Sequence, residues 1–104
     1  MSHQQREHPE ARDELRASID WYDDPATGQE LLDATRDARL SIAAMPDAWP
    51  PVQGWSLSPT VRRKRVPGFP YSVIYTVIDD TIVIIAYAHE RRRPGYWKHR
   101  VSDA

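Results

Sequence analysis

The chain has 104 residues, of which 40% are hydrophobic and 28% charged, and these proportions predict a single globular domain over residues 1–104. It contains no cysteine, which excludes a disulfide scaffold, a thiolate metal site and a cysteine nucleophile, and fits a reducing cytoplasm. The net charge of −1, taken alone, argues against a nucleic-acid partner, and the longest apolar run, residues 82–88, is too short to span a membrane.

Two helices are predicted in the first half of the chain. The apolar residues of the first recur at three- and four-residue spacing, at Ala11, Leu15, Ile19 and Tyr22. Pro9 suits its first turn, and Pro25 ends it. The second helix is capped by Asp24 or Thr27. Its stripe consists of Leu31, Thr35, Ala38, Ile42 and Met45. Two helices with a short link predict an antiparallel helical hairpin.

The second half predicts a linker and then a sheet. Residues 46–60 contain four prolines and a glycine, so no regular element runs through them, and Trp49 and Trp55 are expected to anchor this linker to the core. Strands are predicted at residues 61–66, 71–78 and 81–88, the last two joined by a tight turn. The predicted fold class is α+β, with the helical hairpin packed on one face of a small, mainly antiparallel twisted sheet and the other face open for a ligand.

The near-zero net charge conceals a split between the two halves. Residues 1–52 carry five basic residues against eleven acidic ones, whereas residues 53–104 carry nine against four. The basic residues cluster at 62–65, at 91–93 and at Lys98 with Arg100. Such asymmetry indicates an interaction surface, although two solvated surface patches would give the same pattern.

The basic clusters predict a phosphate-binding surface. Arg63 and Arg65 alternate along a strand, so both point to one face of the sheet. In an antiparallel sheet the end of the third strand can return near the first, which would bring residues 91–93, Tyr96 and Trp97 close to them. Guanidinium groups bind phosphates and aromatic rings stack on unpaired bases, which favours single-stranded RNA, unless the two aromatic residues only anchor the tail.

Other chemistries lack a signal in the sequence. The four glycines are scattered and form no phosphate-binding loop, and the four histidines show no metal-ligand spacing. No serine lies in a nucleophile-elbow pattern. We therefore expect neither a metal nor a cofactor.

A longer pattern in the second half is more specific. Phe69-Pro70-Tyr71 leads into a strand with Val73 and Tyr75, the Asp79-Asp80 turn and the apolar strand follow, and residues 89–97 read His-Glu-Arg-Arg-Arg-Pro-Gly-Tyr-Trp. This pattern resembles the RelE/ParE superfamily, the toxins of type II toxin–antitoxin pairs. Residues 8–11, His-Pro-Glu-Ala, also look like the family, so the resemblance covers nearly the whole chain. It implies the order β-α-α-β-β-β, with a short or frayed first strand because residues 2–6 are polar.

The resemblance implies one of two activities. RelE-like members cleave mRNA in the ribosomal A site, where the RNA 2′-hydroxyl attacks the adjacent phosphate. ParE-like members instead inhibit DNA gyrase by binding it, and a cognate antitoxin neutralises both kinds. We expect a cytoplasmic, ribosome-dependent mRNA endonuclease that inhibits translation. The alternatives are a non-enzymatic gyrase inhibitor and an inactive remnant that only binds an antitoxin.

The resemblance also suggests site residues. Arg63 and Arg65 fall where RelE-like nucleases carry two active-site lysines, and Tyr96 falls on their catalytic tyrosine. Ser72 and Glu90 stand at or near family arginine positions, and this favours the gyrase alternative. The predicted catalytic residues are Arg63, Arg65, Arg92, Tyr96 and His89. The predicted RNA- or antitoxin-binding residues are Arg62, Lys64, Arg91, Arg93, Trp97, Lys98 and Arg100.

The predicted catalytic set has one chemical weakness. Arginine neutralises a developing phosphorane but does not accept a proton, because it stays protonated in proteins. Proton transfer would therefore fall to His89, Glu90 or Tyr96. His89 has an equally good interpretation as a packing residue at the end of a strand.

Overall fold

The computed structural model describes residues 3–104 and confirms the α+β fold. Its elements are β1 (Gln4–Glu7), α1 (Pro9–Trp21), α2 (Pro25–Ala44), β2 (Val61–Arg65), β3 (Tyr71–Ile78), β4 (Thr81–His89) and α3 (Lys98–Ser102). The strands lie in the order β1-β4-β3-β2, with β1 parallel to β4 and the other pairs antiparallel. The expected short first strand is an edge strand, and α3 is a short helix that the sequence pattern did not predict.

Each long helix begins with a proline that follows a capping residue. Asp24 accepts a hydrogen bond from the backbone N–H of Ala26 at 3.0 Å, so Asp24 rather than Thr27 is the N-cap of α2. His8 has the same role in α1, where its Nδ1 accepts from Glu10 N at 3.1 Å. Both capping residues have extended backbone, the conformation that a following proline favours.

Two apolar cores lie on opposite faces of the sheet. The helix-side core lies beneath α1 and α2 and includes Ala11, Ala38, Ile42, Val73, Tyr75, Ile82, Ile84 and Tyr87. Met45, predicted to belong to the apolar stripe of α2, is instead 62% exposed because the helix ends at Ala44. The outer core, on the other face, includes Val61, Ile74, Val83, Ile85, Ala86, Trp97 and Val101.

The outer core corrects the expectation of an open face. β4 is buried on both sides along residues 82–87, so both faces need a cover. On the outer face the linker supplies Trp55 and the tail supplies Trp97, whose ring centroids lie 5.8 Å apart. The linker also pairs with the edge of β2, where Val52 N donates to Val61 O at 2.8 Å. These contacts confirm that the linker is anchored, and they leave only part of the outer face accessible.

A bulge interrupts the register between β3 and β4. Ile74 pairs with Ala86 but Tyr75 pairs with Ile84, so Ile85 is an extra residue in β4. As a result, the neighbours Ile85 and Ala86 both belong to the outer core. At the other end of these strands the turn residues Asp79 and Asp80 both have positive φ, as a two-residue hairpin turn of type I′ requires. Within residues 3–104, no helix is long and apolar enough to cross a membrane.

Candidate functional site: an arginine groove and a carboxylate cluster

A groove of about 560 Å³ remains on the outer face of the sheet. We call it the arginine groove; its charged lining residues are Arg63, Arg65, Glu90, Arg92 and Lys98. Apolar side chains that include Ile74, Trp55 and Trp97 complete its surface. Arg63 and Arg65 share the face of Val61 because side chains alternate along β2, as the sequence predicted. Three predicted catalytic residues, Arg63, Arg65 and Arg92, are thus brought together.

The groove is positively charged. Four basic side chains line it, against the single carboxylate of Glu90. Among residues 3–104, Arg63, Arg65 and Arg92 form no ion pair. Their guanidinium groups are therefore available to an anionic partner, and each has the planar geometry that binds a carboxylate or a phosphate with two hydrogen bonds.

Arg62 and Lys64 lie on the opposite face of β2. Arg62 Nη1 donates to Trp49 O at 2.8 Å, and Lys64 Nζ lies 4.5 Å from the centroid of the Trp49 ring. Trp49 itself packs against the helix-side core. The two side chains hold the linker and do not line the groove. Arg91 and Arg93 are exposed on the turn after β4, also outside the groove lining.

His89 does not line the groove, although it contacts Tyr71, which does. Its ring packs edge-on against Tyr71 with centroids 5.0 Å apart, and Tyr71 contacts the helix-side core. His89 Nδ1 accepts a hydrogen bond from Arg91 N at 3.0 Å. These contacts match the packing interpretation of His89, and its side chain does not line the groove.

The hydroxyl of Tyr96 is also directed elsewhere. It donates a hydrogen bond to Glu14 Oε2, while the Arg92 guanidinium lies 4.0 Å from the centroid of the Tyr96 ring. Burial raises the pKa of Tyr96, and the hydrogen bond from its hydroxyl to Glu14 raises it further. The phenol is therefore a protonated donor that already has its acceptor, and Tyr96 does not line the groove.

Glu14 is the centre of a second constellation, which we call the carboxylate cluster: Glu10, Glu14, Tyr96, His99 and Arg100. Glu14 Oε1 accepts from Arg100 Nη1 at 3.1 Å, and Glu10 Oε2 accepts from Arg100 Nε at 2.9 Å. His99 Nε2 lies 2.8 Å from Glu10 Oε2, and the hydrogen bond with His99 is the main cause that lowers the pKa of Glu10. The cluster ties the C-terminal tail to α1.

The structure places Arg100 in the interior, where it is 6% exposed, rather than on the partner-binding surface predicted for it. Trp97 is 3% exposed and packs against Trp55 with the two ring planes inclined at 48°, in line with the interpretation that it anchors the tail. Lys98 remains exposed at the groove. Sequence reasoning missed Glu10 and Glu14 because acidic residues on a helix are usually solvated. Their four-residue spacing, which puts them on one side of α1, was the available signal.

No group of three or more histidine, aspartate and glutamate side chains within residues 3–104 is arranged to hold a metal ion.

In a comparison with protein families, the model described as ParE toxin of type II toxin-antitoxin system, parDE, matches residues 6–94. The match extends from β1 to the tail and ends before Tyr96 and Trp97. A comparison with curated proteins finds no match.

Proposed function

The chain belongs to the ParE toxin family of type II toxin–antitoxin systems, and we propose that it arrests growth by binding DNA gyrase through the arginine groove, without cleaving a nucleic acid. As a toxin of this kind it has a cognate antitoxin partner. One observation carries the proposal: neither Tyr96 nor His89 lines the groove that contains Arg63 and Arg65.

RNA cleavage by 2′-hydroxyl attack requires a group that accepts the hydroxyl proton and a group that protonates the leaving oxygen. Arg63 and Arg65 have the charge to hold the phosphate, but arginine does not exchange protons at neutral pH. Tyr96 donates to Glu14, and His89 packs against Tyr71. Because these two side chains, predicted for proton transfer, make other contacts, the geometry supports binding over catalysis.

The composition of the groove supports a protein target. The apolar lining residues Pro51, Trp55 and Pro94 are at least partly exposed, and they lie beside the free cations Arg63 and Arg65. A protein segment that carries both carboxylates and apolar side chains complements such a surface, since opposite charges set orientation and buried apolar contacts supply affinity. In this proposal the arginines pair with acidic residues of the target.

The second candidate function is a ribosome-dependent mRNA endonuclease, and one observation favours it. Glu90 is a carboxylate in the lining of the same groove as Arg63, Arg65 and Arg92. A carboxylate at that position is a possible general base, with the three arginines on the scissile phosphate. The two proposals therefore differ in what they require of Glu90.

The test is induction of the chain in a bacterial host that lacks the antitoxin, with Glu90→Gln as the discriminating variant. Gyrase binding predicts DNA breaks and a DNA-damage response with intact mRNA, and Glu90→Gln should retain full toxicity because it removes a negative charge from a cationic groove. Cleavage predicts new mRNA 5′ ends within translated codons, lost in Glu90→Gln.

Lys64→Ala, which changes a basic residue of the same strand on the opposite face, is the matched control for Arg63→Ala. The binding proposal predicts that only Arg63→Ala reduces toxicity. Codon-positioned mRNA cleavage without DNA damage would overturn it. A wild-type chain that arrests nothing would support an inactive, antitoxin-binding remnant instead.

A further inference from the structure

We infer that Glu14 is a positioning residue for the arginine groove: from the far side of the tail, it fixes the segment whose Trp97 and Lys98 line the groove. For its link to target binding, the inference rests on the proposed function. The hydrogen bonds by which Tyr96 and Arg100 of the tail bind Glu14 do not depend on which target the groove binds.

Glu14 lies where β4 loses its neighbouring strand. β1 pairs with β4 only as far as Ile84, so the following backbone groups on that edge need other partners. Glu14 Oε1 accepts from Tyr87 N at 2.9 Å, and Arg100 Nη1 donates to Ile85 O at 3.1 Å. Two side chains thus replace the missing strand, and they are hydrogen-bonded to each other.

The same carboxylate holds the tail at two points. Tyr96 and Arg100 both donate to Glu14, and Trp97 and Lys98 lie between them in the chain. Because the residues on either side are fixed to α1, the Trp97 ring is held against Trp55 in the groove. A contact outside the groove thereby sets the position of one part of its lining.

The arrangement needs a carboxylate. Glu14 accepts from the N–H of Tyr87, the hydroxyl of Tyr96 and the guanidinium of Arg100, and only 13% of its side chain is exposed. Glutamine has nearly the same shape but offers one acceptor oxygen, and its NH₂ group would face donors. Glu10 also binds Arg100, but its side chain is 49% exposed and it makes no hydrogen bond to Tyr96.

The experiment compares Glu14→Gln with Asp13→Asn, which makes the same charge change at the neighbouring exposed position. Amide hydrogen exchange of residues 95–104 should accelerate about tenfold or more in Glu14→Gln, the effect of losing a charged hydrogen bond. The pKa of Tyr96, followed by the NMR signal of its ring carbons, should fall. Inhibition of purified DNA gyrase should weaken about tenfold if the tail loosens by that factor. Asp13→Asn should leave all three unchanged.

Exchange in β3 reports whether the whole domain is destabilised. If exchange in β3 accelerates as much as exchange in the tail, Tyr96→Phe replaces Glu14→Gln as the test variant. Tyr96→Phe should accelerate exchange in the tail alone, and in the Glu14→Gln background it should cause little further acceleration. Tail exchange in Glu14→Gln and in Tyr96→Phe that equals that of Asp13→Asn would overturn the inference. A wild-type chain that does not inhibit gyrase would overturn the proposed function, while the exchange data still decide the role of Glu14.

Discussion

Replacement of Arg100 by alanine should strongly destabilise the fold. The change removes a guanidinium that donates to Glu10, Glu14 and the backbone oxygen of Ile85. It leaves the mostly buried Glu14 carboxylate without its cation. Removing one partner of a buried ion pair typically costs about 3–5 kcal/mol, because the other charge stays buried and unpaired.

A domain of this size loses about 4–8 °C in Tm for each kcal/mol, so Arg100→Ala should lower the Tm by about 12 °C or more. Arg100→Lys keeps the charge but not the planar fork, and should lie between wild type and alanine. Urea unfolding followed by circular dichroism measures both. Arg91→Ala, the exposed control, should stay within about 0.5 kcal/mol of wild type. A loss below about 1 kcal/mol for Arg100→Ala would refute the buried position of this side chain.

The cap of α2 and two titrating side chains also affect stability. Asp24→Ala should cost about 1 kcal/mol in urea unfolding, because the first turn of α2 loses its cap; an unchanged midpoint would contradict this. The hydrogen bond to His99 lowers the pKa of Glu10, so the contribution of Glu10 to stability is present above its ordinary pKa of 4.5 and is lost as pH falls through the lowered pKa. Glu10→Gln should therefore show a smaller drop in Tm on acidification than wild type. Burial raises the pKa of Tyr75 from 10.0 to about 12, so stability should fall as pH rises through this interval, and Tyr75→Phe should lose less.

The spacing of apolar residues and the positions of prolines predicted the long helices and the strands well. The strand between Val61 and Val66 was expected to alternate, and alternation alone put Arg63 and Arg65 on one face. Prolines at the starts of α1 and α2 set the helix boundaries within a few residues of those found. These features depend on local backbone preferences, which the sequence carries directly.

The carboxylate cluster depends on contacts that no local pattern encodes. Arg100 lies in a basic stretch and looks exposed, but its partners Glu10 and Glu14 are 90 and 86 residues away along the chain. Arg100 donates a hydrogen bond to the backbone oxygen of Ile85, the extra residue of β4. An unbroken apolar run in the sequence predicts neither this contact nor the bulge. The position of Tyr96 beside Glu14 follows from the same packing.

Under the proposed function, the arginine groove binds DNA gyrase. The direct measurement is DNA supercoiling by purified gyrase in the presence of the wild-type chain, Arg63→Ala/Arg65→Ala and Lys64→Ala, with a parallel assay of mRNA on translating ribosomes. We predict that the wild-type chain and Lys64→Ala inhibit supercoiling. The double variant should inhibit it at least about tenfold more weakly, since charged hydrogen bonds contribute about 1.5–3 kcal/mol each. The mRNA should stay intact in every case. Full supercoiling activity together with ribosome-dependent mRNA cleavage would contradict gyrase binding by the groove.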